Sequence, residues 1–142
     1  MLGILITGHG HFATGLGSAV RLLAGEQEAF ELVDFEEGDS TDCLAEKIIA
    51  AFDRLSGCES IIVCTDIIGG SPFKTAATLA ANRDDVHVIA GTSVAVLLAA
   101  VLEREDCECA DDFVETILEA GHQSLVEFKL TDVEDESEVD GI

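Results

Sequence analysis

The sequence predicts an α/β protein built on one open, mostly parallel sheet that carries helices on both faces. Short apolar runs alternate with longer amphipathic runs in the order βαβαβαβααβ, which is the pattern of parallel strands joined by crossover helices. The chain of 142 residues suits a single domain. We expect that domain to cover residues 1–130, followed by a frayed tail over 131–142 that carries six acidic residues and no basic one.

Five short apolar runs predict the strands. The run 60–65 is continuously apolar, as is typical of a strand covered on both faces. The run 124–130 alternates better than the others and suits an edge strand, or a strand placed by a partner chain. The five predicted strands are residues 2–7, 29–35, 60–65, 86–90 and 124–130.

Five amphipathic stretches predict the helices, and several have clear start or stop signals. Ser40 or Thr41 can cap the second helix through its hydroxyl group. Ser71 followed by Pro72 predicts the start of the third, with a hydroxyl N-cap and proline at the first helical position. Gly121 is expected to end the fifth. The predicted helices are residues 14–24, about 41–55, about 71–82, 93–104 and 111–120.

The charge of the chain argues against two classes of partner. There are 29 acidic and 7 Lys or Arg residues, which gives a net charge of −22. Nucleic acid is therefore not an expected partner, because phosphate backbones need basic patches. For the same reason the charge argues against docking on an anionic membrane surface. No apolar run approaches the length of about 20 residues that spans a bilayer.

The five cysteines and the N-terminus suggest a cytoplasmic protein with reduced thiols. The cysteine count is odd, and the first residues lack the basic region of a signal peptide. Cys107 and Cys109 have the spacing of a metal-binding pair, but no second pair or nearby histidine completes a ligand set. We therefore expect no metal site.

Two loops carry the candidate catalytic residues. Ligands of open α/β sheets bind beyond the carboxyl ends of the strands, where the strand order reverses. In a flavodoxin-like order, strands one and three are neighbours, so His9 and Asp66 would project from adjacent strand ends. A neutral imidazole is a good nucleophile near pH 7, and a carboxylate that accepts its second N–H fixes the ring.

The glycines of these loops suggest a seat for an anion. Gly69, Gly70 and Ser71 precede or open a helix, where backbone N–H groups and a hydroxyl can bind phosphate, and Gly10 can turn its own N–H toward the same group. The combination predicts reversible phosphoryl transfer through a phosphohistidine, in which positioning supplies most of the catalysis. His11 is the rival nucleophile, which we rank below His9 because Phe12 and the following helix crowd it.

Other functions stay open at this point. The run from Gly8 to Ala13 fits the G-x-G-x-x-[G/A] pattern after a strand, and Asp34 ends the second strand, as in dinucleotide-binding proteins. A flavin site of the flavodoxin type is also compatible with the fold, although no Trp or Tyr is present to stack on the ring. A purely structural or binding module is a third alternative, which leaves the phosphate-ready loops unexplained.

At these two loops the sequence resembles the IIA component of the mannose family of the bacterial phosphoenolpyruvate-dependent sugar phosphotransferase system. The resemblance covers about 1–130, as a mannose-type IIA domain. Gly8-His9-Gly10 stands where such proteins carry the phosphorylated histidine, and the stretch from Asp66 to Phe73 resembles the second signature of the family. The residues after the histidine are closer to the N-acetylgalactosamine type than to the mannose type. The phosphocarrier subunit of dihydroxyacetone kinase, whose first domain has the same fold, is a related alternative.

The resemblance implies a set of partners and roles. His9 would accept the phosphoryl group from the histidine phosphocarrier protein HPr and pass it to the cognate IIB component, which phosphorylates sugar entering through the membrane IIC and IID components. Asp66 would hold the histidine ring and Ser71 would contact the phosphate. The resemblance also implies a homodimer in which an antiparallel last strand is exchanged between subunits. It implies no metal ion and no organic cofactor.

Overall fold

The computed structural model describes residues 1–130, so the predicted acidic tail over 131–142 lies outside the described residues. Within the described part of the chain, four strands and five helices alternate along most of the sequence. The strands are β1 (Gly3–His9), β2 (Phe30–Phe35), β3 (Ile61–Thr65) and β4 (Val86–Ile89). The helices are α1 (Phe12–Ala24), α2 (Thr41–Arg54), α3 (Ser71–Ala80), α4 (Val94–Glu103) and α5 (Ala110–Ser124).

The four strands form one parallel sheet in the order β2-β1-β3-β4. The predicted open parallel sheet with a flavodoxin-like order is therefore confirmed. From β1 the chain moves first to one side, to β2, and then to the other, to β3. The carboxyl ends of β1 and β3 thus flank the point where the strand order reverses, which is where ligands of such sheets bind.

Helices cover both faces of the sheet because side chains along each strand alternate between two cores. In β1, Ile4 and Ile6 belong to the core formed with α1, α4 and α5, whereas Leu5 belongs to the core formed with α2 and α3. All three side chains are completely buried. Burial on two faces explains why the middle strands read as continuous apolar runs in the sequence.

Three helix starts are set by local chemistry. The hydroxyl of Ser40 accepts a hydrogen bond from the Cys43 N–H at 3.0 Å and so caps α2, and Ser93 caps α4 through the Val96 N–H at 3.3 Å. Helix α3 differs from the prediction by one residue, because its N-cap is Gly70 and Ser71 is already its first helical residue. The Ser71 hydroxyl is therefore not the N-cap.

The C-terminal part of the fold corrects one prediction and leaves a second untested. Helix α5 continues through Gly121 to Ser124, and a Cβ at Gly121 would lie 2.9 Å from Cγ2 of Val96, so this glycine allows close packing between helices rather than ending one. Residues 125–130 form no strand in this single chain, because no sheet edge pairs with them. Four apolar side chains are left exposed there: Leu125, Val126, Phe128 and Leu130.

Candidate functional site

His9 and Asp66 meet at the carboxyl edge of the sheet. His9 is the last residue of β1, and Asp66 directly follows the neighbouring strand β3. The Oδ2 atom of Asp66 accepts a hydrogen bond from the His9 backbone N–H at 2.9 Å and lies 2.7 Å from Nδ1 of the His9 ring. The structure therefore brings together the two residues that the sequence singles out, and it ties the carboxylate to both the backbone and the ring of the histidine.

The carboxylate of Asp66 is ionised at neutral pH. Burial by itself would raise the pKa of Asp66, but the backbone and ring of His9, together with the Ile67 backbone, outweigh it and hold that pKa below the ordinary value of 3.8. An ionised carboxylate can only accept hydrogen bonds, so a neutral His9 ring must carry its proton on Nδ1. The second ring nitrogen, Nε2, is then left with a free lone pair.

The His9 ring is open to solvent on one side and tightly bounded on the other. Its side chain is 48% exposed, which leaves room for an incoming group. A Cβ at Gly70 would lie only 2.8 Å from Cε1 of the ring, so the ring rests against the residue that precedes α3. Phe35 packs edge-on at 5.9 Å between ring centroids. This contact is not among those predicted from the sequence, although Phe35 is the register partner of His9 across β1 and β2.

Two of the predicted phosphate-binding glycines have their N–H groups already engaged. The Gly10 N–H donates to the Phe35 carbonyl at 2.8 Å, and the Gly70 N–H donates to the Ile67 carbonyl at 3.2 Å. Neither amide is free to bind an anion in this conformation, which corrects the role expected for these two residues. Gly10 instead supplies a φ of +61°, a left-handed conformation that side chains disfavour.

The remaining predicted residues lie at the start of α3. Gly69 has a φ of +81° and turns the chain just before the helix. Ser71 and Phe73 lie in the first turn of α3, where backbone N–H groups have no partner within the helix. The positive end of the helix dipole and these amides favour a negative charge. Because the Cε1 atom of His9 faces Gly70, this helix end borders the imidazole ring.

His11 lies outside the pair formed by His9 and Asp66. Its side chain is 76% exposed, and its Nε2 atom lies 3.3 Å from a carboxylate oxygen of Glu36. The expected crowding of His11 by Phe12 is therefore wrong. The two histidines differ in the carboxylate that each contacts. Asp66, the partner of His9, is largely buried and bonded to both the ring and the backbone of the histidine, whereas Glu36, the partner of His11, is exposed.

Among residues 1–130, one group of side chains has the spacing of metal ligands. The ligand atoms of His11, Asp34 and Glu36 lie within 4.8 Å of one another on the rim of the site. Both oxygens of Asp34 already accept hydrogen bonds from Thr14, at 3.0 Å from its N–H and 2.7 Å from its hydroxyl. The expectation that the protein needs no metal stays a prediction.

The same contacts bear on the dinucleotide-binding alternative. That alternative assigns Asp34 to a ribose hydroxyl, but in the structure both of its carboxylate oxygens bond to Thr14 in the first turn of α1. In addition, a Cβ at Gly8 would lie 2.4 Å from Cδ1 of Phe12. The aromatic side chain therefore fills the space beside the first glycine of the fingerprint, and Gly8 serves helix packing there.

Comparison with known proteins assigns the family. The model of the EIIA-man family, described as the PTS system fructose IIA component, matches residues 3–118. The match covers most of the chain, and we conclude that this chain belongs to the EIIA-man family of the sugar phosphotransferase system, whose IIA components are phosphotransfer proteins.

Individual relatives agree with this assignment. The chain is 30% identical over 133 residues to the PTS system mannose-specific EIIAB component of Escherichia coli K12, covering 94% of the chain but 41% of that protein. It therefore spans less than half the length of this relative. It is 28% identical over 111 residues to the PTS system fructose-specific EIIA component of Bacillus subtilis, covering 78% of the chain and 76% of the relative.

A solved structure supports the fold as well as the family. The crystal structure of phosphotransferase system component EIIA from Streptococcus agalactiae superimposes with a TM-score of 0.82 at 32% identity, over 90% of this chain and 98% of that one. Within residues 1–130, none of the helices combines the length and the apolar composition that crossing a membrane would require.

Proposed function

We propose that this protein is a phosphocarrier of the phosphoenolpyruvate-dependent sugar phosphotransferase system. His9 accepts a phosphoryl group from phosphorylated HPr and passes it to the cognate IIB component, which serves sugar uptake through the membrane IIC and IID components. The setting of these exchanges is the cytoplasm. The observation that carries the proposal is the contact of 2.7 Å between His9 Nδ1 and Asp66 Oδ2, since it orients one ring nitrogen and leaves the other available.

The transfer step follows from the state of the ring. The Nε2 lone pair of His9 attacks the phosphorus atom of the donor phosphohistidine, and a new N–P bond forms. The N–P bond of the donor breaks, and its electron pair returns to the donor ring nitrogen. The His9 ring then carries positive charge with its proton on Nδ1, and the ionised Asp66 stabilises that charge. Transfer to the next carrier reverses these events.

The phosphoryl oxygens have a favourable binding site beside the His9 ring. We assign them to the N-terminal end of α3, where the backbone N–H groups of Ser71 and Phe73 are free of helical partners. The Ser71 hydroxyl adds a further donor, and Gly69 provides the turn that brings this helix end to the ring. Gly10 and Gly70 contribute by shape, because their amides are engaged elsewhere.

Protein partners must approach His9 closely, and the rim of the site offers an apolar surface for them. Ile67 is 60% exposed and Ile68 is 76% exposed, and both directly follow Asp66 in the chain. Large apolar side chains in this position favour a protein partner, since docking surfaces combine an apolar centre with a polar rim. We assign this surface, Ile67 with Ile68, to the successive docking of HPr and IIB.

The proposal is tested by phosphorylation of the intact chain. Incubation with phosphoenolpyruvate, enzyme I and HPr should add one phosphoryl group, measured by intact mass, and acid should remove it. The His9→Ala variant should take up none, whereas His11→Ala should be phosphorylated like the wild type. Phosphate on His9→Ala but not on His11→Ala would transfer the role to His11. Thermal stabilisation by NAD or FMN in place of phosphorylation would favour the nucleotide-binding alternatives.

We also propose that the protein works as a homodimer in which the segment 125–130 of each subunit adds a strand to the other. Two observations support it. The outer edge of β4 has no pairing strand among residues 1–130, and the segment exposes large apolar side chains, with Leu125 at 93% and Phe128 at 73% exposure. An exposed apolar segment and an open sheet edge satisfy each other by pairing.

The mass in solution tests the dimer. Light scattering after gel filtration should give twice the chain mass of 15.0 kDa. The double variant Val126→Ser with Phe128→Ser should run as a monomer, because the strand loses the apolar side chains that anchor it. Leu22→Ser is the control, since Leu22 is also largely exposed, at 87%, but lies on α1. A monomeric wild type, or a double variant that stays dimeric, would contradict the exchange.

A further inference from the structure

Two buried oxygen atoms beside the site have no hydrogen-bond partner in the described part of the chain. They are Oδ1 of Asp66 and Oγ1 of Thr92. Thr92 is only 8% exposed, so its hydroxyl is shielded from solvent. Buried polar atoms are nearly always paired, and an ionised carboxylate oxygen without a donor is especially unfavourable. The coincidence of one unpaired acceptor and one unpaired hydroxyl at the same edge of the sheet therefore needs an explanation.

The backbone places these two residues next to each other. The Gly91 N–H donates to the Asp66 carbonyl at 2.7 Å, and the Thr92 N–H donates to the Thr65 carbonyl at 3.1 Å. These bonds extend the pairing of β3 with β4 beyond the last paired residues, Cys64 and Ile89. Thr92 thus lies beside the backbone of Asp66 on the β4 side, whereas His9 lies on the β1 side.

We propose that Thr92 is a positioning residue whose hydroxyl donates a hydrogen bond to Asp66 Oδ1, and so holds the carboxylate in the orientation that fixes the His9 ring. The bond forms directly after rotation of the Thr92 side chain about its Cα–Cβ bond, or through one bridging water molecule. In either form, Oδ2 of Asp66 accepts both hydrogen bonds from His9, and Oδ1 is held by Thr92.

Two other groups are competing donors. The hydroxyl of Thr7 is buried and also lacks a partner, and the Ile67 N–H helps to lower the pKa of Asp66 but makes no hydrogen bond to Oδ1. Thr7 pairs with Thr65 from the β1 side, whereas the Thr92 N–H bonds to Thr65 from the β4 side. The Thr7→Val variant distinguishes the two hydroxyls.

Loss of the anchor should change the ring of His9 without unfolding the protein. A carboxylate held by only one oxygen can rotate, and the Nδ1 proton of His9 then has a less fixed acceptor. The neutral ring populates both tautomers, so less of it presents Nε2 as the free nucleophile. Transfer should slow by about 10-fold in Thr92→Val, by analogy with other residues that orient a reactive ligand from behind. This kinetic part rests on the proposed function.

The test compares Thr92→Val with two other variants and reads the ring directly. Nitrogen-15 NMR of the neutral His9 imidazole should show mainly the Nδ1–H tautomer in the wild type and in Thr92→Ser, and a mixture in Thr92→Val. Thr92→Ser should transfer within about 2-fold of the wild type, because it keeps the hydroxyl. Thr7→Val should match the wild type in both measurements. The thermal midpoint of Thr92→Val should be lower than that of the wild type, because Oδ1 of Asp66 loses its donor.

Each outcome of this comparison either supports or overturns the role of Thr92. An unchanged tautomer population in Thr92→Val overturns the proposal, as does the same change in Thr7→Val. If Thr92→Val does not fold, the comparison of Thr92→Ser with Thr92→Ala replaces it, and equal spectra for those two variants again overturn it. Should the wild type take up no phosphoryl group, the proposed function fails, but the NMR comparison still tests the link between Thr92 and His9.

Discussion

Replacing Asp66 by Asn should slow phosphoryl transfer from HPr by about 100-fold or more, while the protein stays folded. The amide keeps the size of the carboxylate and can still accept the His9 backbone N–H, which lies 2.9 Å from Oδ2. It has no negative charge, so it cannot stabilise the cationic ring that forms when Nε2 takes up phosphorus. Quench-flow measurement of phosphate transfer to the variant and to the wild type gives the ratio directly.

A control with the same change in charge is Asp39→Asn. Asp39 lies in the turn before α2 and pairs with Lys47 at 2.8 Å, away from His9. Its loss should change stability little and leave the transfer rate unchanged. Equal transfer rates in Asp66→Asn and the wild type would show that the carboxylate does not orient the ring. A fall of similar size in Asp39→Asn would attribute the effect to net charge.

The effect of Asp66→Asn on stability should depend on pH. The pKa of Asp66 in the folded protein is lower than its ordinary value of 3.8, because the contacts with His9 and with the Ile67 backbone outweigh the effect of burial. A depressed carboxyl pKa stabilises the fold above the unfolded value and is lost as pH falls through the folded value. The difference in unfolding free energy between the wild type and Asp66→Asn should therefore be largest above pH 4 and shrink toward zero in stronger acid.

The elements and the central pair could be predicted from sequence because both depend on local patterns. Apolar runs such as 60–65 and the cap at Ser40 identify strands and helix starts, and the parallel order then places the ends of β1 and β3 side by side. The pairing of His9 with Asp66 follows from that geometry alone. Neither residue has a neighbour in sequence that would have revealed the contact.

The errors arise where the outcome depends on contacts between distant segments. The amide of Gly10 is taken by Phe35, a residue 25 positions further along the chain, so a loop that looks free in sequence is already bonded. Gly121 looks like a helix end, yet its missing side chain makes room for Val96. The segment 125–130 has the alternation of a strand but is unpaired in the single chain, and its pairing within a dimer stays a prediction.

At the opposite end of the sheet, replacing Arg104 by Met should destabilise the fold by about 3 kcal/mol. Arg104 is 5% exposed, and its guanidinium donates to the carbonyls of Leu2 at 3.2 Å, Ala29 at 3.2 Å and Glu28 at 2.5 Å. These bonds tie the end of α4 to the chain entering β1 and β2. Burial lowers the pKa of Arg104, but the group stays charged at neutral pH because an arginine titrates so far above it.

Met fills much of the space of the arginine stem but cannot donate a hydrogen bond. The Ala29 carbonyl keeps the bond from the Ile4 N–H at 2.9 Å, so the loss of the donor to the Leu2 and Glu28 carbonyls sets the size of the effect. Urea unfolding of the two proteins measures it. Arg21→Met is the matched control, since both variants change the net charge from −22 to −23 but Arg21 is 66% exposed, so its loss should cost no more than about 0.5 kcal/mol. Equal costs would mean that charge, not the buried bonds, sets stability. Folded Arg104→Met should still be phosphorylated at the wild-type rate, because Arg104 binds the amino ends of the strands and His9 lies at their carboxyl ends.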